Sequence, residues 1–146
     1  VIILDSFAVI ALFRDEPAAS QVRALIGGEQ GVALSVLGVS EVLDQLIRVY
    51  GADEDDAVLD LAQLGLQPAL GVDDTVAMHA GLLRARHYHR TTRAVSLADC
   101  VAATLARSRK ARLATADPHL LELCQEEGID VQALPDSSGR MWSPMS

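Results

Sequence analysis

Aromatic side chains are scarce in this chain: two Phe, two Tyr and one Trp among 146 residues. Half of the residues are nevertheless hydrophobic, so a disordered chain is excluded and the core must be built from Ala, Val, Leu and Ile. Cysteine is nearly absent. Cys100 and Cys124 stand 24 positions apart without a CxxC pair, which excludes a disulfide framework and fits a reducing, cytoplasmic setting. No apolar run approaches the roughly 18 residues of a membrane span. The opening Val1-Ile2-Ile3-Leu4-Asp5 is too short for the apolar region of a signal peptide and has no basic flank. The chain starts on Val1 without a Met, as expected of a start that has been processed or trimmed. There is one lysine, Lys110, and it does not follow a strand, which argues against a receiver domain. The Asp-x-Asp of a haloacid-dehalogenase-like phosphatase is missing, since Asp5 is followed by Ser6-Phe7. The GxGxxG of a dinucleotide-binding fold is missing too. No Ser or Cys has a clear His partner for nucleophilic catalysis.

Positive charge is also in short supply. The net charge is −8, which argues against generic, charge-driven binding to nucleic acid. The distribution qualifies this. Residues 84–112 carry eight of the twelve basic residues against one acid, Asp99. A basic stripe that includes Arg84, Arg86, Arg90 and Arg93 can therefore lie near an acidic site, although an ordinary solvated helix face reads the same way. Tyr88 is the only aromatic in this stretch, flanked by His87 and His89. The two histidines have no third and fourth ligand nearby for zinc and are read as exposed helix-end residues.

What is present is an alternation of strand and helix patterns. Buried strands are expected at residues 1–5, 32–36, 112–116 and 129–134. A fifth, at 66–70, is weakened by Pro68 and therefore placed at an edge. Helices are expected at 6–13, from Glu16-Pro17 to Ile26, from Val39 to Tyr50, after Asp53 to Leu64, after Asp73 to His87, from Ser96 to Ser108, and from Asp117-Pro118 to Gly128. This is an α/β, three-layer pattern: a mostly parallel five-stranded sheet with helices on both faces. One domain over 1–134 is expected, followed by a loosely ordered tail over 135–146 with Trp142 packed down.

Four carboxylates fall where such a fold could assemble them. Asp5 closes the first strand and Asp117 follows the fourth, while Glu41 and Asp99 lie in the first turns of helices. Strand ends and adjoining helix starts share one rim of an open sheet, and ligands bind there. Each residue alone also reads as a helix-start residue. Asp5 would cap the first helix, Asp117 would cap before Pro118, Asp99 would complete a capping box with Ser96, and Glu41 would answer the helix dipole. A cap needs only one polar atom, yet all four positions carry carboxylates. Gathered together they would repel unless a cation sat among them, and a hard divalent ion such as Mg²⁺ is the natural candidate. Hydroxyls accompany them at Ser6, Ser40 and Thr115, placed either to orient ligands or to serve as ordinary turn residues.

The segments Asp5-Ser6-Phe7-Ala8-Val9-Ile10-Ala11-Leu12, Ser40-Glu41-Val42-Leu43, Ser96-Leu97-Ala98-Asp99 and Thr115-Ala116-Asp117 resemble the four acidic motifs of PIN-domain ribonucleases. The resemblance is to VapC-type toxins of toxin–antitoxin pairs, and it runs from residue 1 to about residue 134. One departure is Gly38, where many relatives place Asn three residues before the motif Glu. The resemblance implies a PIN-like fold and a Mg²⁺- or Mn²⁺-dependent endoribonuclease acting on structured RNA such as tRNA or rRNA. It also implies a cognate VapB-type antitoxin whose extended segment fills a groove on the toxin, and a homodimer formed through helix surfaces. Phe7, Val9, Ile10, Leu12, Phe13, Val22, Leu25 and Ile26 offer more apolar residues than one buried face needs, although all of them could be core.

The chemistry is consistent with the residues. Phosphodiester hydrolysis needs an activated water, neutralised phosphoryl oxygens and a stabilised leaving oxygen, all of which carboxylate-held metal ions supply. The assignment is that Asp5, Asp99 and Asp117 hold the principal ion. Glu41 then holds a water or a second ion, or positions the attacking water. Arg84, Arg86, Arg90 and Arg93 are assigned to the RNA backbone, with Tyr88 available for stacking on exposed bases. The alternative is a non-catalytic PIN-like module that binds RNA or protein through the same groove.

Overall fold

The computed structural model describes residues 1–144; of the expected tail, Met145 and Ser146 lie outside the described residues. Four strands form one parallel sheet: β1 (Ile2–Leu4), β2 (Val32–Ala33), β3 (Leu113–Thr115) and β4 (Val131–Ala133), in the order β2-β1-β3-β4. Ile2 pairs with Val32, Ile3 with Leu113, and Thr115 with Ala133. Strand side chains alternate between the two faces, and the two hydrophobic clusters follow that alternation. Ile2, Leu4, Val32, Leu34 and Ala114 pack with α1 (Ser6–Phe13), α2 (Ala19–Ile26) and α3 (Val36–Asp44). Leu61 and Leu64, in and just after α4 (Glu54–Ala62), pack against that cluster from outside. Ile3 and Leu113 face the other way, against α5 (Asp74–His87), α6 (Leu97–Arg109) and α7 (Pro118–Glu127). The three-layer α/β reading therefore holds. No helix among the described residues is long and apolar enough to cross a membrane.

Among the described residues there are four strands rather than five. The 66–70 segment runs beside β2, donating from Gln67 to the Val32 carbonyl at 2.8 Å and from Leu70 to the Leu34 carbonyl at 2.9 Å. It makes only an isolated bridge, between Ser35 and Leu70. Pro68 has no N–H to donate, and β2 itself stops at Ala33 because Ser35 begins a helix. The Ser35 hydroxyl accepts from the Gly38 N–H at 2.9 Å, so α3 starts at Val36 instead of Val39. Gly38 is buried at this cap, where a Cβ would sit 3.3 Å from Leu34 Cδ2. After Asp44 the helix continues as a π turn over Gln45–Val49, in which the Tyr50 N–H reaches the Gln45 carbonyl at 3.2 Å.

The caps read from sequence are largely in place. Asp53 accepts from the Asp56 N–H and Asp73 from the Val76 N–H. Asp117 accepts from the His119 N–H at 2.8 Å, with Pro118 in the first turn. Gly128, at φ 70°, ends α7 in the left-handed conformation that favours glycine. Ser96 and Asp99 exchange reciprocal bonds of 3.0 and 2.9 Å in a complete capping box. Part of the expected tail is tied to the rest of the chain. Pro135 is buried, and Asp136 Oδ1 accepts from the Ser138 N–H, the Ser138 hydroxyl and the Arg140 N–H. Trp142 is half-buried.

Candidate active site

The chain leaves β1 by helices that lead to β2 on one side, and leaves β3 by α7 toward β4 on the other. This reversal between neighbouring strands opens a crevice beyond their carboxyl ends. Asp5 emerges there from β1, and Asp117 two residues beyond Thr115 of β3. Glu41 reaches it from the second turn of α3, and Asp99 from the first turn of α6. All four line a single cleft of about 470 Å³.

Asp5 is the most constrained of the four. It is only 8% exposed, and its carboxylate makes no capping hydrogen bond to α1. It occupies the N-cap position of α1, and the Phe7 backbone N–H, two residues on, acts on its carboxyl less than burial and Thr115 do. Thr115, fully buried in β3, donates its hydroxyl to Asp5 Oδ2 at 2.8 Å and accepts from the Asp117 N–H at 3.1 Å. One threonine therefore fixes two members of the acidic set. Ser6 Oγ stands 3.4 Å from Asp5 Oδ1 and 3.3 Å from Glu41 Oε1. A hydroxyl has one proton to give, so Asp5 and Glu41 share it. Ser40 is not at the cleft, because its hydroxyl donates to the Val36 carbonyl on the exposed face of α3.

The electrostatics report the crowding. Burial raises the Asp5 carboxyl above its ordinary value; the Thr115 bond opposes this, and the charges of Asp117 and Glu41 add to it. Burial likewise raises Asp99, with the charges of Asp5 and Asp117 in the same direction. Glu41 is raised by burial and then by Asp99, against the Ser6 hydrogen bond. Each of the three is held above its ordinary value partly by another member of the set, so a cation in the cleft would relieve all of them.

The donors are carboxylate and hydroxyl oxygens, which suit Mg²⁺ or Mn²⁺. As the side chains are oriented, no three His, Cys, Asp or Glu residues among the described residues are gathered tightly enough to enclose an ion. Asp5, Asp99 and Asp117 share a cleft without forming a closed cage. Mg²⁺ keeps several waters and takes one or two carboxylates, so the donor chemistry fits an open cleft of this kind.

The arginines singled out in the sequence are not in the cleft lining. Arg84 donates from Nε to the Val95 carbonyl at 2.9 Å and lies 4.3 Å from the centroid of the Tyr88 ring. Arg86 pairs with Glu127 at 3.4 Å, and Arg93 with Glu126 at 2.8 Å. Arg90 is exposed. His87 is not an exposed helix end: its ring is 10% exposed, 2.6 Å from Glu127 and 3.1 Å from Arg93. His89 is exposed, and its Nδ1 accepts from the Thr91 and Thr92 N–H groups. This cluster fastens the loop before α6 onto α7. Its acids lie some 30 to 40 residues further along the chain, so the pairing has no local sequence signal.

Conversely, the structure brings in residues that the sequence reading missed. Asp136 and Ser137 line the cleft, although the Pro135-Asp136-Ser137-Ser138-Gly139 run announces only a turn. Beside the cleft lies a second one of about 490 Å³, which shares Ser6, Phe7, Glu41 and Ser137 with it and adds Arg14, Glu16, Gln45 and Tyr50.

A parallel α/β sheet with four acids converging on its switch point defines a class of protein, and the sequence places the chain within it. Residues 2–126 match the PIN domain family, and the chain belongs to that family. Solved structures share the fold. FitAcB from Neisseria gonorrhoeae superposes with a TM-score of 0.65 at 20% identity, covering 90% of this chain and 96% of that one. The VapBC complex from Salmonella typhimurium, solved bound to DNA, gives the same four figures. VapC20 from Mycobacterium tuberculosis, a sarcin–ricin loop cleaving toxin, gives a TM-score of 0.62 at 18% identity, covering 77% of this chain and 87% of that one. No curated protein matches the chain by sequence.

Proposed function

We propose that the protein is a metal-dependent endoribonuclease, a VapC-type toxin of the cytoplasm that hydrolyses structured RNA such as tRNA or rRNA and is silenced by a cognate antitoxin. The observation that carries this reading is the convergence of Asp5, Glu41, Asp99 and Asp117, from four separate elements, on one cleft at the sheet's switch point. Membership of the PIN family and the fold shared with toxins of toxin–antitoxin complexes support it.

In this reading Asp5, Asp99 and Asp117 hold Mg²⁺ or Mn²⁺. The ion, when bound, neutralises phosphoryl charge and lowers the pKa of water. The chain's own residues supply the rest. Thr115 fixes the Asp5 carboxylate and the Asp117 backbone, and the capping box fixes Asp99. Glu41, half-buried and hydrogen-bonded to Ser6, is placed to accept a proton from the attacking water. Its raised pKa brings its basicity closer to neutrality. Because water attacks rather than the ribose 2′-hydroxyl, the products carry a 5′-phosphate and a 3′-hydroxyl.

Two surfaces support the proposed partners. Leu12, Phe13, Ile26 and Leu64 line a mostly apolar groove of about 390 Å³ that suits an extended antitoxin segment. Of the apolar residues of α1 and α2, Val9, Ile10, Leu12 and Val22 are core, whereas Phe7, Phe13, Leu25 and Ile26 remain half-buried. For a homodimer, Met78, Leu82 and Leu97 are each more than half exposed, and Met78 and Leu82 lie one turn apart on α5.

The test is incubation of total RNA with the protein in Mg²⁺, in Mn²⁺ and in EDTA. The expected result is site-selective cleavage that EDTA abolishes and that Asp5→Ala and Asp99→Ala lose while keeping the fold. Metal-dependent cleavage that persists in either variant refutes the assignment. Binding without cleavage by the unaltered protein identifies a non-catalytic PIN module instead.

A further inference from the structure

Among the described residues that line the acidic cleft with Asp5, Glu41, Asp99, Asp117 and Asp136, none is basic. Phosphates on either side of a scissile bond would meet no positive side chain there. Across the two adjoining clefts Arg14 is the one basic side chain among the described residues. Arg14 follows the last turn of α1, and its guanidinium carbon lies 3.7 Å from the centroid of the Tyr50 ring. Both side chains reach water, Arg14 being 43% and Tyr50 44% exposed. The only ion pair of Arg14 among the described residues is from Nε to Glu16 at 3.4 Å. Gln45 lines the same cleft, and its amide has no hydrogen-bond partner among the described residues. The π turn over Gln45–Val49 inserts an extra residue into the helix that carries Glu41, and π turns are frequent at functional sites.

Resting on the ribonuclease reading, the geometry points to a nucleotide subsite beside the acidic cleft, in which Arg14 and Tyr50 form a stacking platform for an RNA base and Arg14 contacts the neighbouring phosphate. Bases of single-stranded RNA stack on aromatic rings and on guanidinium planes. The Arg14–Tyr50 pair presents both in the cleft that adjoins the acidic one. The amide of Gln45 is free to hydrogen-bond a base edge, so the subsite can favour some nucleotides next to the cut. Ser6, Phe7, Glu41 and Ser137 are common to both clefts, which makes the path from subsite to carboxylates continuous. Arg84, Arg86 and Arg93 line neither of the two clefts.

The test uses the full chain and a fluorescein-labelled short random-sequence RNA, with binding read by anisotropy in EDTA so that the probe stays intact. Arg14→Ala and Tyr50→Ala are each expected to weaken binding about tenfold, the scale of one lost base stack. Tyr50→Phe keeps the ring and is expected to bind within about twofold of the unaltered chain. Arg109→Ala serves as a charge control, because Arg109 lies ten residues along α6 from Asp99 and hence about 15 Å away. Its binding is expected to be unchanged. Thermal melts matching the unaltered protein show that each variant is folded. Unchanged affinity in Arg14→Ala and Tyr50→Ala overturns the inference, as does an equal loss in Arg109→Ala. Retained RNA binding with lost inhibition by the cognate antitoxin also overturns it and makes the surface a protein-docking site. If the unaltered chain does not bind the probe the inference falls, and cleavage of total RNA in Mg²⁺ decides separately whether the nuclease reading falls with it.

Discussion

Replacing Asp5 with Asn should make the metal-free protein more stable while destroying its proposed activity. Asp5 is 8% exposed beside Glu41 and Asp117, and its carboxyl rises from the ordinary 3.8 to about 6, first because of burial. Such a rise costs the ionised form on the order of 3 kcal/mol relative to the unfolded chain. The folded state favours the protonated carboxyl. The associated stability is therefore fully present below pH 3.8 and is lost as the pH climbs through about 6. Asn resembles the protonated acid in size and neutrality, and its carbonyl can still accept from Thr115. In EDTA at pH 8 the variant should melt higher by about 6–12 °C, taking 2–4 °C per kcal/mol for a chain of this size. The difference should shrink toward zero at pH 4. Mg²⁺ should raise the melting temperature of the unaltered protein at pH 8 more than that of the variant, since it stabilises by binding the folded form. Differential scanning calorimetry across pH, with and without Mg²⁺, measures each part. A variant that melts lower at pH 8, or a gain independent of pH, refutes the picture of a strained buried charge.

Three further outcomes are expected. Thr115→Val removes the donor to Asp5 and the acceptor of the Asp117 N–H. It should cost about 1–3 kcal/mol in urea unfolding, with Thr115→Ser recovering most of that; an undiminished urea midpoint would count against the role given to Thr115. Glu127 is held down to about 2, first by His87 and then by Arg107. The stability it contributes is present above pH 4.5 and is lost as the pH falls through about 2. Glu127→Gln should thus lower the urea midpoint at pH 7, the gap should close on acidification, and amide exchange should quicken in the 88–95 loop; a gap that stays constant with pH disproves the ion cluster as its source. Cys100 and Cys124 are free and buried, and burial pushes their thiols up to about 11 and about 12. Ellman's reagent at pH 8 should label neither until the protein unfolds, and rapid labelling of the native chain would contradict their placement.

The elements were legible because their signals are local. Asp53, Asp73, Ser96 and Asp117 each bond a backbone N–H two or three residues away. A side chain that acts over such a distance leaves its mark in the sequence. The misplaced elements failed where two local signals competed. Residues 32–36 carry a strand pattern, but Ser35 caps a helix inside it. The 66–70 run is apolar enough for a strand, but Pro68 leaves a single bridge. The π turn after Asp44 has no signal in the apolar spacing, which continues smoothly from Val42 through Leu46.

The sequence by itself determined an α/β chain with helices on both faces of a parallel sheet, and it singled out Asp5, Glu41, Asp99 and Asp117 by type and order. Whether those four meet was a matter of tertiary structure, because pairs such as Asp5 and Thr115 are joined across 110 residues. The strand order β2-β1-β3-β4 decided it, by placing the ends of β1 and β3 side by side. Tertiary structure also redistributed the arginines. Long-range carboxylates at Glu126 and Glu127 bind Arg86 and Arg93, while Arg14, with no nearby basic residues to draw notice in the sequence, pairs with its neighbour Glu16 and stands against Tyr50 in the cleft beside the acidic one. Charge counted along a chain gives composition; which charge remains free to meet a ligand depends on which opposite charges the fold brings beside it.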